Sequence, residues 1–242
     1  MPLRVLTISC AVALTGCDVA LSELDQIYSR GADGPVVCGA NIDNKNTISS
    51  DSISVGLDRA QVDGAVIHLY SHRPAGTVDE STIEQVVAGA SDRDLPFVTY
   101  RDMALGSGPD RGLALSFDDR DIAGWHGLLP MFARYRARVT FFISQFHALT
   151  AEELDLLHAI ADAGHSIDYH STNHLNAQTF SQAKGIEAYL ADEVMPDLAA
   201  MRVNGFDPLV FAYPFGSRNA ELDAALAPHF RFLRASDFNC PR

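Results

Sequence analysis

Short apolar runs alternate along this chain with longer stretches in which apolar residues recur every three or four positions. The short runs are rich in β-branched and aromatic residues and predict buried strands, whereas the longer stretches predict helices packed on one face. The expected strands cover residues 65–70, 97–100, 113–119, 139–143, 166–169, 209–213 and 230–233.

Helices are expected between these strands. Thr77 with Glu80, and Thr150 with Glu153, have the spacing of a capping box and mark two helix starts. Pro196 should kink or divide a helix predicted over residues 181–203. Strands that alternate with helices in this way predict a parallel α/β architecture that is barrel-like. Two further helices are expected at about 121–136 and 218–226.

The amino-terminal residues follow a different pattern. Arg4 precedes an apolar run over residues 5–14 that has the length of a signal-peptide core and is too short to cross a bilayer. The run ends in Leu-Thr-Gly-Cys17, which resembles the bacterial lipoprotein signal, in which the cysteine becomes lipidated. The alternative is an ordinary secretory signal followed by a chance cysteine.

These features divide the chain into three expected parts. Residues 1–16 would be a lipoprotein signal peptide, residues 17–60 a lipid-anchor tether and loop, and residues 61–242 the folded domain. The protein would then be exported and lipid-anchored to a bacterial membrane, facing the periplasm or the cell exterior. After removal of the signal, the remaining cysteines are Cys17, which would carry the lipid, Cys38 and Cys240. An oxidising compartment then favours a Cys38–Cys240 disulfide over two free thiols.

Composition and charge limit the size of the core and the classes of partner that the protein can bind. A chain of 242 residues with 47% hydrophobic and 20% charged residues can build one sizeable core. A net charge of −13 argues against a nucleic-acid partner, because such binding depends on neutralising phosphates with Lys and Arg. Nothing in the sequence indicates a dedicated protein partner.

Two stretches carry the candidate chemistry. The apolar run Leu113–Asp119 stops at two adjacent carboxylates, Asp118 and Asp119, at a predicted strand end. About fifty residues later, His170 and His174 supply two imidazoles four positions apart. One carboxylate and two neutral histidines leave open positions on a metal ion for water and substrate, as in catalytic rather than structural sites. The second carboxylate is then available as a base.

Three motifs resemble those of the polysaccharide deacetylase family with the NodB homology domain: SFDD at 116–119, HSTNH at 170–174 and YPFG at 213–216. The resemblance implies an α/β fold, a distorted or incomplete (β/α) barrel with parallel strands. The family ends in a strand carrying Leu-x-x-His, which here lies upstream as Leu69-x-x-His72. We therefore expect a circularly permuted domain, in which a Cys38–Cys240 bridge could replace the severed connection.

The resemblance also implies a mechanism. Asp119, His170 and His174 would bind Zn²⁺, or another divalent metal, which lowers the pKa of a bound water and polarises the acetyl carbonyl. Asp118 would be the general base and His72 the acid that protonates the leaving amine.

The third motif would complete the site. The backbone N–H of Phe215 would help to hold the oxyanion, with Pro214 and Tyr213 beside it in the substrate region. The implied substrate is an acetylated polysaccharide, with a glycan that contains N-acetylglucosamine expected ahead of acetylated xylan.

Two departures from the family pattern bear on activity. The family's third motif usually carries an Arg two residues before the Pro, where it orients the catalytic carboxylate, but Ala212 stands there. The Asp-x-x-Asp-Trp motif is not recognisable, although Asp237 lies in a comparable place. The alternative function is therefore a catalytically weak or silent, membrane-tethered glycan-binding module on the same fold.

Overall fold

The computed structural model describes residues 19–30 and 34–240. Within them, seven parallel strands close into a barrel in the order β2-β3-β4-β5-β6-β7-β8, and β8 pairs with β2 to complete the ring. A short additional strand, β1, joins β3 antiparallel. The strands are β1 (Tyr28–Ser29), β2 (Val36–Asn41), β3 (Val66–Ser71), β4 (Gly112–Asp119), β5 (Thr140–Ile143), β6 (Ser166–Tyr169), β7 (Val210–Ala212) and β8 (Phe232–Ser236).

Helices surround the barrel, so the predicted parallel α/β barrel is confirmed, with a closed sheet. The helices are α1 (Ser50–Asp63), α2 (Glu80–Ser91), α3 (Tyr100–Leu105), α4 (Ile122–Gly127), α5 (Leu129–Tyr135), α6 (Ala151–Asp162), α7 (Ala177–Lys184), α8 (Ile186–Tyr189), α9 (Met195–Val203) and α10 (Ala220–Leu226).

Strand alternation separates two cores. On β4, Leu115 and Phe117 belong to the large core between barrel and helices. Ala114 belongs instead to a smaller cluster that also contains Phe142 of β5. Because successive side chains of a strand point to opposite faces, Asp118 shares the inward face with Ala114. The barrel interior therefore changes from apolar to charged along β4 towards its carboxyl end.

The interpretation of residues 17–60 as tether and loop does not describe the structure. Strand β2 is one of the strands of the barrel sheet and lies between β8 and β3. Helix α1 buries Ile53, Leu57 and Ala60 at helical spacing. Frequent Ser, Asp and Asn residues hid this pattern, since they favour turns in a sequence without tertiary context.

The predicted strand at 97–100 is also wrong. Phe97 makes a single bridge to Leu113, and the chain then turns into α3. Thr99 and Asp102 form a capping box there, which stabilises the helix start. Helix α3 covers the barrel's amino-terminal end, where the Tyr100 N–H donates to Thr140 Oγ1 at 3.0 Å.

The helix signals had mixed outcomes. The capping box of Thr150 and Glu153 is present at the start of α6. The one predicted at Thr77 is not, because α2 starts after Asp79 and the Thr77 hydroxyl donates to Asp43 instead. The helix expected over 121–136 is divided into α4 and α5.

The long helix predicted over 181–203 is divided as well. It is interrupted at Gly185 and again by a π-helical turn, Leu190–Val194, just before Pro196.

Cys38 and Cys240 form a disulfide with their Cα atoms 5.8 Å apart. It joins β2 to the segment after β8. Residues 1–18 lie outside the described part of the chain, so the signal peptide and the lipidation of Cys17 remain predictions. No helix in the described ranges has the length and apolar character needed to cross a membrane.

Candidate active site

The carboxyl ends of the parallel strands converge on one cavity of about 520 Å³. Parallel barrels place their reactive side chains at this end, because every strand delivers its last residue to the same rim. The predicted residues that line the cavity are Asp118 and Asp119 of β4, His72 after β3, His170 and His174 after β6, and Tyr213 and Phe215 after β7.

Asp119, His170 and His174 form a group of potential metal ligands whose donor atoms all lie within 4.8 Å of one another. Nε2 of His174 is 3.1 Å and Nε2 of His170 is 3.6 Å from Oδ1 of Asp119. Apart from these contacts with the two imidazoles, this oxygen is buried and has no hydrogen-bond partner among the described residues. A buried carboxylate oxygen without a partner is costly, and a cation would satisfy it. One carboxylate oxygen and two imidazole nitrogens are a donor set that suits Zn²⁺.

The orientation of His170 fits the same role. Its Nδ1 donates to the backbone carbonyl of Ala212 at 2.8 Å, which leaves Nε2 without a proton and facing the carboxylates. Such a bond to the remote ring nitrogen is typical of histidine ligands. Burial lowers the pKa of His170 to about 4, so the imidazole is neutral and its lone pair is available at neutral pH.

Asp118 is buried against Arg234 of β8, whose Nη2 donates to both carboxylate oxygens. Burial opposes the charge on Arg234, but the Asp118 carboxylate outweighs it and raises the arginine pKa above its usual value. The guanidinium also lies over the Tyr70 ring, 4.4 Å from its centroid. Arg234 therefore holds the Asp118 side chain in one orientation, with Oδ2 3.9 Å from Nε2 of His170.

His72 is oriented by a second buried carboxylate, that of Asp43. Oδ2 of Asp43 accepts from Nδ1 of His72 at 2.6 Å, while Oδ1 accepts from Ser71 Oγ at 2.6 Å and Thr77 Oγ1 at 3.0 Å. Burial alone would lower the pKa of His72, but the bond to Asp43 and the charge of Asp118 raise it above the usual value. Trp125, which is fully buried, donates from Nε1 to the His72 carbonyl at 2.8 Å. His72 is thus prepared to carry and release a proton.

A family model described as polysaccharide deacetylase matches residues 106–229, which include all three motifs. The chain belongs to the polysaccharide deacetylase family.

Several solved structures are similar to this chain. IcaB from Ammonifex degensii is 17% identical over 85% of each chain, with a TM-score of 0.51. A family 4 carbohydrate esterase from Streptomyces lividans, in complex with acetate, is 26% identical over 50% of this chain and 59% of its own, with a TM-score of 0.41. The chitin deacetylase from Colletotrichum lindemuthianum is 23% identical over 50% of this chain and 53% of its own, with a TM-score of 0.40.

The chain thus spans a little over half the length of the Streptomyces and Colletotrichum proteins. A search of curated proteins found no sequence similar to it.

Arg234 supplies an arginine beside Asp118, although Ala212 stands where the family usually has one. Ala212 and Arg234 are direct register partners on β7 and β8, so both positions face the barrel interior at the same height. The arginine that the family places on one strand comes here from the next strand. The sequence signal was weak, because the predicted strand ended at residue 233 and an inward-facing Arg is uncommon.

The second departure was the unrecognised Asp-x-x-Asp-Trp motif, and Asp43 supplies a carboxylate to the site in its absence. Asp43 lies shortly after β2, in a region that the sequence assigned to a loop, so its role was missed. Asp237 lines the same cavity, but the carboxylate bonded to His72 is that of Asp43.

The third motif shapes the opposite wall. The Tyr213 ring is buried and its hydroxyl donates to Asp223 at 2.8 Å, so it is part of the wall rather than a free donor. Pro214 is buried, whereas Phe215 is 59% exposed with a left-handed φ of 59°. Its ring lies 4.8 Å from that of His174. Gly216 is required beside it, because an added Cβ would lie 1.8 Å from Ser236 Oγ.

Proposed function

We propose that this protein is a metal-dependent hydrolase that removes acetyl groups from a polysaccharide. The observation that carries the proposal is the grouping of Asp119, His170 and His174 beside a carboxylate, Asp118, that Arg234 holds in place. A divalent ion, with Zn²⁺ expected, would be held by these three residues and would supply Lewis-acid activation of water and of the acetyl carbonyl.

The other residues of the cavity divide the proton transfers. Asp118 is the general base, since it lines the cavity where water would bind and Arg234 holds its carboxylate in one orientation. His72 is the general acid, since its bond to Asp43 raises its pKa and leaves Nε2 to protonate the departing nitrogen. The Phe215 N–H lies in the first turn of the short helical segment Pro214–Gly216, where N–H groups lack partners within the helix, and would donate to the developing oxyanion.

The exposed Phe215 ring at the cavity mouth supports a sugar substrate, since an apolar ring face suits the C–H face of a pyranose. We propose a glycan that contains N-acetylglucosamine ahead of acetylated xylan, because His72 as an acid matters most for an amine leaving group. The silent glycan-binding module was an alternative because Ala212 stands where the family has an arginine. Arg234 supplies a guanidinium to Asp118 from the neighbouring strand, so an active enzyme is favoured.

We also propose that the domain is circularly permuted. Strand β3, which His72 follows, pairs with β4, which ends in Asp118 and Asp119, and β3 precedes β4 in the chain. Strands β8 and β2, which would be consecutive in an unpermuted chain, are paired, and the Cys38–Cys240 disulfide joins them. This disulfide supports the further proposal of an exported protein, anchored through lipidated Cys17.

Acetate release from N-acetylglucosamine oligomers and acetylated xylan, measured with added Zn²⁺ and with chelator, tests the proposal. We expect release that requires metal and is lost in Asp118→Asn. Folded, Zn²⁺-loaded protein that releases no acetate from any of these substrates would overturn the proposed activity on them and favour a binding module.

A further inference from the structure

A buried glutamate outside the cavity holds the segment that carries His174. Glu193 is fully buried, and its Oε2 accepts from the backbone N–H of Asn173 at 3.0 Å and of Leu175 at 3.3 Å. Its Oε1 accepts from the Asn173 side chain at 2.6 Å. The two backbone N–H groups are those on either side of His174, so one carboxylate fixes the chain before and after this residue.

The helix around Glu193 is adapted to this task. Pro196 has no N–H, so the carbonyl four residues earlier, that of Asp192, loses its normal helical partner, and the chain forms the π-helical turn Leu190–Val194. The Glu193 carbonyl then accepts from the Thr172 N–H at 2.9 Å and from the Tyr169 hydroxyl at 3.1 Å. Both the side chain and the backbone of Glu193 therefore bond to the chain that leads from β6 to His174.

His174 depends on such support more than His170 does. His170 is buried and tied by its ring to the Ala212 carbonyl, whereas the His174 side chain is 25% exposed. Ser171 and His174 also have left-handed φ values of 70° and 57°. Residues other than glycine keep this conformation only where the surrounding structure imposes it.

We propose that Glu193 is a positioning residue that sets the metal affinity of the site by holding His174 through the backbone on both sides. This inference rests on the proposed metal site at Asp119, His170 and His174. Glu193 touches neither metal nor substrate, and it acts through the conformation of residues 173–175.

The test compares Glu193→Ala with Asp168→Ala in the full-length protein. Asp168 is a matched control, since it is fully buried and also accepts from two backbone N–H groups, of Leu209 and Val210, and from one side chain, Ser166. Zn²⁺ affinity is measured by competition with a chromophoric chelator, and ligand geometry by the visible spectrum of the Co²⁺ form. Both variants should lose stability.

We expect Glu193→Ala to bind Zn²⁺ about 10- to 100-fold more weakly and to change the Co²⁺ spectrum. Asp168→Ala should bind like the wild type. Glu193→Gln should restore most of the affinity, because the Asn173 amide can turn to offer its oxygen to the new NH₂ group. If Glu193→Ala does not fold, Asn173→Ala, which removes one of the three bonds, should weaken binding several-fold.

Unchanged affinity in the variants of Glu193 and Asn173, or an equal loss in Asp168→Ala, would overturn the positioning role while leaving the metal site intact. A wild-type protein that binds no Zn²⁺ would overturn the metal site, and this inference with it.

Discussion

Two carboxylates of the barrel strands, Asp168 and Asp119, differ in how their oxygens are bonded. Asp168 of β6 is fully buried, has three hydrogen bonds within the protein and lines no described cavity. Asp119, at the carboxyl end of β4, is partly exposed, but its Oδ1 is buried and has no hydrogen-bond partner among the described residues beyond its close contacts with His170 and His174. Burial of a carboxylate alone therefore does not indicate a functional acid. A carboxylate oxygen that lines a cavity and lacks a hydrogen-bond partner does indicate one.

Removing the base should have the largest effect on turnover. Asp118→Asn keeps the shape of the side chain but cannot take a proton from water, so we expect kcat to fall by roughly 10²- to 10⁴-fold. The assay is acetate release under saturating Zn²⁺. Activity close to that of the wild type would show that the base lies elsewhere.

Removing the partner of that base tests whether Arg234 replaces the missing family arginine. Arg234→Met leaves the Asp118 charge buried and unpaired, so the free energy of unfolding should fall by about 3–5 kcal/mol. Turnover should fall as well. Chemical denaturation and acetate release are measured on the same preparation.

Arg234→Ala should lose stability and turnover in the same way, and because Ala212 and Arg234 are register partners, adding Ala212→Arg to it should recover part of both losses. A double variant that is no better than Arg234→Ala alone would contradict the replacement.

Asp168→Ala sharpens the comparison between the two carboxylates. It leaves three donors unpaired, so it should cost about 1–3 kcal/mol of stability for each buried group that finds no water. The kcat of the folded protein should stay within about twofold of the wild-type value, since this carboxylate lines no described cavity and bonds only to Ser166, Leu209 and Val210. A large loss of kcat in folded Asp168→Ala would remove the distinction between the two carboxylates.

Asp43→Asn should have the smallest effect on turnover, a shift in its pH profile. The bond to Asp43 raises the pKa of His72, so His72 stays protonated as the acid to higher pH than a free histidine. Asp43→Asn should therefore move the alkaline limb of the rate profile to lower pH. An unmoved limb would mean that His72 does not supply the proton.

The same pair affects stability with a definite sign. The pKa of Asp43 is lowered, as burial is outweighed by the bond from His72, and that of His72 is raised. The stabilisation from Asp43 is lost as pH falls below about 4, and that from His72 is lost as pH rises above about 6.5 and through its folded-state pKa. The difference in stability between wild type and Asp43→Asn should be greatest between these values.

The sequence predicted the strands that carry the motifs, because their apolar runs end sharply at Asp118, His170 and Tyr213. It did not predict Asp43 or Arg234 as functional residues. Each lies in a short strand or strand end with mixed composition, and each acquires its role only through a partner far away in the chain, His72 or Asp118. Such pairings follow from barrel closure, which local patterns do not encode.

The predicted strand at 97–100 was wrong because of a local signal rather than a distant partner. The capping box of Thr99 and Asp102 starts a helix there and outweighs the apolar run around it.

The most direct test of the central claim is Zn²⁺ binding to metal-free protein, measured by calorimetry for the wild type and for Asp119→Ala. The grouping of Asp119, His170 and His174 predicts one ion per chain in the wild type and binding weakened at least tenfold when the unsatisfied carboxylate is removed. Equal binding by both proteins, or none by the wild type, would contradict the assignment of this end of the barrel as a metal centre.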